Sequence, residues 1–352
     1  MDTLTHGLAG SVLARTAASR PGVRGALLTG MLAAMLPDLD ILFLHSQLDY
    51  LRFHRGWTHS FLVMPLFALA VALAVRLVFR GARLVTLWLF AAIGIASHIL
   101  FDWITSFGTM FFFPLSHARY SLDWVFILDP VFTGIVVATL LATLLFRRRG
   151  RAVAAAGAAL LVAYIGLCGI FHARALAQWR RLDRPPDGVR VAVLPQFLSP
   201  FRWLGLAEHP DAVHVAFFDV GPFARGAEDP RPPRRFSEVL RSLSDFYPPP
   251  ERMRIRHYPQ PPPSSALEAA RALPDVDAYL QFARFPLATL LAEPDGGTLI
   301  VWEDLRFLPW FAGPWEMDRN LVLRRRPFLY RVRLDAAGRT LESHVVNSFH
   351  FP

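Results

Sequence analysis

Histidine and aspartate side chains recur in three short motifs within the first 102 residues of the chain. The motifs are LPDLD at 36–40, HRGWTHS at 54–60 and HILFD at 98–102. Neutral imidazole and carboxylate groups are common protein ligands of metal ions. Each motif is a weak signal alone, but together, beside apolar segments, they predict one shared metal site.

The HILFD motif has the most informative spacing. His98 and Asp102 are four residues apart, so on a helix both side chains lie on one face and can reach the same ion. A hydrogen bond that only stabilises the helix would use the same spacing. Because ionisable groups in apolar segments are costly and mark functional sites, we favour the metal or catalytic interpretation.

The LPDLD motif ends an apolar run, and Pro37 is expected to break or kink the helix there. One of Asp38 and Asp40 is predicted to bind the metal. The other is predicted to orient a histidine ligand, and either could act as a general base. The structural alternative is a helix end with a capping aspartate, and the motif alone leaves both interpretations open.

The HRGWTHS motif precedes a long apolar run. His54 and His59 are five residues apart, so they do not share one helix face, and the motif is expected to form a loop that enters a helix. We predict His59 as a metal ligand and His54 as a second ligand or a proton-transfer group. The guanidinium of Arg55 suits a phosphate or carboxylate and is predicted to anchor substrate or stabilise a developing anion. The alternative is an interfacial Arg/Trp/His anchor.

Other histidines and aspartates of the apolar region carry weaker signals. His6 stands alone near the start of the first predicted helix, where a lone histidine is more often structural. Asp123 and Asp129 could each be a ligand, although an Asp-Pro pair also marks a helix start. His45 and His117 lie in predicted loops and rank lower.

The composition indicates a membrane region joined to a second domain. Hydrophobic residues make up 53% of the 352 residues, yet the formal net charge is +9. The arginines are dispersed, without an interleaved aromatic stripe, so nucleic acid is not an expected partner. The lone Cys168 excludes an intrachain disulfide and a cysteine-rich zinc site. We predict an α-helical multi-pass membrane bundle of about five or six helices over 1–171, followed by a soluble, mainly β (α+β) domain over 172–352.

Arginine groups alternate with the His/Asp motifs along the membrane region. The arginine groups lie at 15–24, 76–83 and 147–151, and arginine-rich short loops remain in the cytoplasm. If all three groups are cytoplasmic, the first helix spans the membrane and the three motifs meet at the extracytoplasmic edge of the bilayer. The domain at 172–352 then also lies on the extracytoplasmic side.

Residues 172–352 have the alternating pattern of half-buried strands in segments such as VRVAVL, AVHVAFFDV, TLIVWEDLRF and LYRVRLD. One segment, ALEAARALPDVDAYLQFARF, has helical character. No chemistry is predicted for this region. We treat five of its histidines as ordinary because they lack ligand-like spacing: His209, His214, His257, His344 and His350.

The motifs MDTLTHGLAG, LPDLD, HRGWTHS and HILFDWITSFGT, followed by DWVFILDP, resemble the YdjM-like family of membrane-bound, metal-dependent hydrolases. The resemblance covers about the first 170 residues and implies a multi-pass protein of the bacterial inner membrane. A more distant similarity points to zinc-dependent phospholipase C and P1-type nucleases, whose tryptophan and glutamate ligands have no counterpart here. That similarity implies the following ligands: His6, Asp38 or Asp40, His59, His98 and Asp102.

We therefore predict an integral-membrane, zinc-type hydrolase that holds one or more divalent ions and acts on a phosphoester or other lipid-like substrate by metal-activated water. Asp38, His54 and Arg55 are its predicted catalytic residues, and membrane lipid is its expected partner. One alternative is a non-enzymatic membrane scaffold or regulatory protein with a structural polar cluster. Another is an ion transporter, which is disfavoured because the polar groups lie towards one end of the helices and not at the midplane.

Overall fold

The computed structural model describes residues 1–18, 23–222, 224, 246–308 and 327–346. The chain divides into two compact units, which comprise Met1–Leu44 with Phe53–Ile170, and His45–Arg52 with Phe171–Pro352. The short segment His45–Arg52 thus groups with the second unit, although it precedes most of the first. The predicted domain assignment at 1–171 and 172–352 stays a prediction.

Seven α-helices occupy the described part of the first 183 residues. They are α1 Thr3–Ala17, α2 Val23–Met35, α3 Gln47–Phe53, α4 Met64–Val78, α5 Leu84–Trp103, α6 Pro130–Leu145 and α7 Gly150–Asp183. Asp2 caps α1 by accepting a hydrogen bond from the Thr5 amide. At Pro37 the α-helical geometry of α2 gives way to a 3-10 helix, Leu36–Phe43, which carries both aspartates of the LPDLD motif.

Three helical segments of the described chain are long and apolar enough to cross a membrane: Arg24–Phe43, Leu84–Trp103 and Arg147–Asp183. A fourth span results if Gln47–His59 and Met64–Val78, which meet at a bend of 73°, are counted together. About 20 apolar residues are needed to cross the hydrocarbon layer, and α6 has only 16 residues. The described helices therefore supply three to four candidate spans, and the larger predicted number is not confirmed.

Small residues allow α1, α2 and α5 to pack closely. A Cβ atom at Gly10 would lie 2.4 Å from the Gly30 carbonyl oxygen, and one at Gly94 would lie 2.7 Å from the same oxygen. Backbones that approach this closely exclude any larger side chain at these positions. The contact holds together the three helices that carry or precede His6, Asp38 and His98.

The described part of the second unit contains two antiparallel four-stranded sheets. The first sheet has β1 Val191–Gln196, β2 Ser199–Glu208, β3 Ala212–Asp219 and β4 Arg256–Pro259. The second has β5 Pro286–Ala292, β6 Thr298–Asp304, β7 Leu329–Leu334 and β8 Thr340–Val346, and two short helices, α8 Ser265–Arg271 and α9 Pro274–Phe282, precede it in the chain. This architecture confirms the expected mostly β domain after the helical region.

The last turns of α7 pack on the first sheet of the second unit. Trp179 is fully buried with Trp203 and Phe218. Its indole N–H donates to the Leu206 carbonyl oxygen at 3.1 Å, and the ring lies where a Cβ at Gly205 would otherwise project. These contacts fix the C-terminal end of the helix against β2.

Candidate metal centre

Four side chains from the three sequence motifs converge in the first unit. Asp38, His59, His98 and Asp102 each offer one ligand-type atom, and the four atoms all lie within 4.8 Å of one another. Asp38 comes from the 3-10 helix after α2, His59 from a short 3-10 turn at Trp57–His59, and the other two from α5. Segments far apart in the chain thus form one polar cluster.

The centre of the cluster is the space between the two imidazoles and the two carboxylates. Nε2 of His59 lies 2.9 Å from Nε2 of His98. Asp102 Oδ2 lies 3.2 Å from the first of these nitrogens and 3.4 Å from the second. Asp38 Oδ1 lies 3.7 Å from the His59 nitrogen and 3.4 Å from the His98 nitrogen.

A backbone carbonyl sets the tautomer of His98. Its Nδ1 lies 2.7 Å from the Ala34 carbonyl oxygen, which can only accept a hydrogen bond. Nδ1 therefore carries the proton. A neutral His98 ring then directs the lone pair of Nε2 into the cluster, as a metal-binding histidine does.

A hydroxyl relay sets the tautomer of His59 in the same sense. Thr58 Oγ1 donates to Asp40 Oδ2 at 3.2 Å. The single hydroxyl proton is thereby used, so His59 Nδ1–H donates to Thr58 Oγ1 at 2.9 Å. The Nε2 lone pair of a neutral His59 ring also faces the cluster.

The cluster fits a divalent cation. Two ring nitrogens present lone pairs to one point, and Asp102 Oδ2 is buried there without a hydrogen-bond partner. Acceptor atoms placed this closely repel one another unless a cation lies between them. Two imidazole nitrogens and two carboxylate oxygens are a donor set that first-row divalent metals accept.

The second oxygen of Asp102 is bound by three positively charged or donor groups. The Met1 α-amino nitrogen lies 2.6 Å from Asp102 Oδ1, Arg55 Nη2 lies 3.0 Å from it, and His6 Nε2 lies 3.2 Å from it. Arg55 also donates to Thr105 Oγ1 at 3.0 Å. The guanidinium predicted as a substrate anchor is therefore buried and bound to Asp102, one of the four residues of the cluster.

His6 lies beside the cluster without belonging to its four ligand atoms. Its ring stacks on His98 with 3.7 Å between the ring centroids, and its Nδ1 is buried without a hydrogen-bond partner. The stacking restrains the His98 ring. The structure thus places His6 at the site, next to a predicted ligand.

Asp40 and His54 form a pair at the edge of the cluster. Asp40 Oδ1 lies 2.9 Å from His54 Nδ1, and Asp40 Oδ2 accepts from the Arg55 amide at 3.3 Å. The nearest distance from Asp40 to His59 is 3.9 Å. Of the two motif aspartates, Asp38 therefore lies within the four-residue cluster, and Asp40 orients His59 through Thr58.

The site has one partly open side. The side chains of Asp38 and Asp40 are 13% and 12% exposed, whereas those of His59, His98 and Asp102 are fully buried. Both partly exposed aspartates lie on the 3-10 helix after α2. A small molecule would reach the cluster past this helix.

The other acids considered in the sequence have structural positions. Asp129 caps α6, accepting from the Val131 and Phe132 amides at 2.9 Å, and the Tyr164 hydroxyl donates to it at 2.7 Å. Asp123 is buried with a φ of +59° and lies outside the four-residue cluster. Thr58 is not among the site residues predicted from the sequence, because its place between Asp40 and His59 depends on tertiary packing.

Comparison with known proteins supports the membrane assignment. A family model described as YdjM inner membrane protein matches residues 1–175. The uncharacterized protein YfhP of Bacillus subtilis (strain 168) is 28% identical over 208 residues, which are 57% of this chain and 62% of that protein. The inner membrane protein YbcI of Escherichia coli (strain K12) is 35% identical over 105 residues, which are 28% of this chain and 58% of that protein.

The chain spans less than two thirds of the length of each of these two relatives. No solved structure matches it, and the distant similarity to zinc-dependent phospholipase C and P1-type nucleases is not shown. The family match, the apolar helices and the ordered His/Asp motifs agree with one another. Through residues 1–175, the chain belongs to the YdjM inner membrane protein family.

Proposed function

We propose that the first unit is an integral-membrane, metal-dependent hydrolase. Its ion is held by Asp38, His59, His98 and Asp102, with zinc as the metal. The observation that carries the proposal is the convergence of two histidine Nε2 lone pairs and two carboxylates in a buried space. Zinc accepts imidazole and carboxylate ligands, and its catalytic sites can expand to five-coordinate, which would admit water beside the four side chains.

The residues around the ion have separate roles in this proposal. When bound, the ion supplies Lewis-acid polarisation of the scissile group and activates water. Asp38, the exposed ligand, borders the path by which substrate and water enter. His54, whose Nδ1 is held by Asp40 at 2.9 Å, would accept a proton at Nε2, because an imidazole held by a carboxylate is a suitable general base at neutral pH.

Arg55 and His6 support the ligands. Arg55 offsets the charge of Asp102 and holds the carboxylate with one oxygen turned to the histidines. His6 fixes the plane of His98 by stacking. The role of Arg55 as a substrate anchor requires its guanidinium to leave Asp102 when substrate binds, and it stays a prediction.

The substrate class follows from the position of the site along the helices. On α5, Arg83 precedes the first turn and Asp102 lies in the last, so about 28 Å of helix separates the two. Arginine is typical of the cytoplasmic end of a membrane helix, and this supports a cluster at the extracytoplasmic edge of the membrane. A lipid-like phosphoester presents its head group at that depth, and its anionic oxygens suit a divalent ion.

Metal analysis of the purified protein tests the site. We expect at least one equivalent of zinc per chain in the wild type, and its loss in both His59→Ala and His98→Ala. His117→Ala is the matched control, because His117 is an exposed loop histidine outside the cluster. Unchanged metal content in both cluster variants would remove the proposed site.

Hydrolysis of a short-chain phospholipid and of a phosphodiester dye, measured with and without chelator, tests the activity. We expect hydrolysis that chelator abolishes and zinc restores, and that both His59→Ala and His98→Ala lack. A protein that binds metal and hydrolyses neither substrate would keep the metal site but contradict the phosphoester hydrolase. That outcome would favour the scaffold or transporter alternatives.

A further inference from the structure

The second unit contains a cluster of metal-ligand type that lies outside the residues matched by the family model. Asp183 ends α7, His209 lies in the turn between β2 and β3, and His214 lies on β3. One ligand-type atom from each of the three lies within 4.8 Å of the other two. Spacings of 26 and 5 residues carry no periodic signal, so the sequence pattern gives no indication that these side chains meet.

The carboxylate of Asp183 holds both imidazoles at once. Oδ2 lies 2.8 Å from His209 Nε2, and Oδ1 lies 2.7 Å from His214 Nδ1. The two rings stack with 3.6 Å between centroids. Both ring nitrogens therefore face the same carboxylate from one side, as the ligands of a single ion do.

A third histidine supports the arrangement. His257 on β4 is the register partner of His214, and the two rings stack with 4.1 Å between centroids. Three imidazoles thus lie in succession across the turn and the two strands. His257 restrains the plane of His214 in the way that neighbouring groups orient metal ligands.

The electrostatic setting of Asp183 favours a cation. The side chain is 1% exposed, and its ion-pair partners among the described residues are the two histidines. Asp183 is also the last residue of a 34-residue helix, whose C-terminal end carries a partial negative charge. A positive ion would offset both the buried carboxylate and the helix end.

We propose that Asp183, His209 and His214 form a second metal site, which takes a divalent ion of the zinc class. Two imidazoles and one carboxylate are a common zinc ligand set and leave a fourth position for water. Ligand atoms around tetrahedral zinc lie about 3.4 Å apart, so the rings move outward by about 0.6 Å from their present positions. His209 lies in the turn, where such a shift leaves the sheet hydrogen bonds intact.

The ion would connect the end of α7 to the β2–β3 hairpin. The helix already packs on this sheet through Trp179, and Arg184, with φ of +51°, ends it directly after Asp183. Metal occupancy therefore fixes the junction at which the long helix joins the first sheet. The site is distinct from the cluster of the first unit and does not depend on the proposed hydrolase.

Zinc titration of the metal-stripped full-length protein against a chromophoric chelator tests the site. We expect Asp183→Asn and His209→Ala each to bind one zinc equivalent fewer than the control His344→Ala, or to bind that equivalent at least tenfold more weakly. The control replaces an exposed histidine on β8. Because His98→Ala removes only the ion of the first unit, the double variant His98→Ala/Asp183→Asn is expected to lose both.

The result that overturns the second site is equal zinc binding by Asp183→Asn, His209→Ala and the His344→Ala control. It would mean that the three side chains form a hydrogen-bonded triad without a metal. His209→Ala decides the question if Asp183→Asn does not fold, since His209 lies in a turn. A cobalt titration adds a spectroscopic readout: visible d–d bands are expected in the control and should be weaker in His209→Ala.

Discussion

Individual hydrogen bonds decide which atoms of the first site are free to bind an ion. His98 is fixed by the Ala34 carbonyl, and His59 by the Thr58 hydroxyl, which is itself held by Asp40. Each bond puts a ring proton on Nδ1 and leaves Nε2 as the ring nitrogen that faces the cluster. The supporting groups therefore control metal affinity as much as the ligands do.

Thr58→Val removes the hydroxyl of this relay while preserving the shape of the side chain. Without it, His59 loses the acceptor that keeps its proton on Nδ1. We expect zinc affinity to fall by about 10–100-fold, measured by chelator competition. Thr58→Ser, which keeps the hydroxyl, should bind zinc like the wild type, and equal affinity in Thr58→Val would contradict the relay.

The pair of Arg55 and Asp102 is buried on both sides, so the loss of one charge leaves the other uncompensated. Arg55→Met is expected to lower the free energy of unfolding in chelator by about 3–5 kcal/mol. In the Arg55→Met background, Asp102→Asn should lower the free energy of unfolding much less than Asp102→Asn does in the wild type. The carboxylate that it removes has already lost its charged partner. Additive effects in denaturant unfolding would show that the pair is not coupled.

At the scale of the elements, the close contact of α1, α2 and α5 sets the positions of the ligands. Gly30 lies at its centre, where a Cβ atom would approach the Gly10 carbonyl oxygen to 2.6 Å and Ala14 Cβ to 2.7 Å. Both neighbours are parts of a helix and cannot swing aside. The helices must separate to admit any side chain at this position.

Gly30→Ala is therefore expected to destabilise the first unit by about 1–3 kcal/mol and to weaken zinc retention. Gly134→Ala on α6 is the matched control, because a Cβ there meets no atom within 4 Å. The free energy of unfolding of this control should be unchanged or should rise by up to about 1 kcal/mol. Thermal unfolding of the two variants in detergent compares them directly, and equal unfolding temperatures would contradict the packing role.

At the scale of the whole molecule, sidedness is the main prediction. We expect the LPDLD end of the helices and the second unit to be extracytoplasmic and the 147–151 arginine group to be cytoplasmic. In a Cys168→Ser background, a membrane-impermeant maleimide should label His45→Cys and Ala337→Cys in intact spheroplasts. Arg148→Cys should react only after permeabilisation, and the reverse pattern would put the site on the cytoplasmic side.

Much of the fold was predictable because short-range patterns determine it. Alternating residues predicted strands such as β3 and β6, and long apolar runs predicted the core of α5 and α7. The larger predicted number of spans is not confirmed, because Asp129-Pro130 begins α6 later than the apolar run suggests, which leaves 16 helical residues. Hydropathy alone does not show where a capped helix starts.

The sequence by itself determined the residue types of the first site. Three motifs with His and Asp precede or end apolar helices, so all three are expected at the same end of the helical bundle. Tertiary packing alone decided that Asp38 belongs to the ligand cluster, that Asp40 acts through Thr58, and that Arg55 turns inward. It alone revealed the cluster of Asp183, His209 and His214. Local patterns report on a few neighbouring residues, whereas these contacts join residues as far apart in the chain as Asp38 and Asp102 and depend on how whole helices and strands pack.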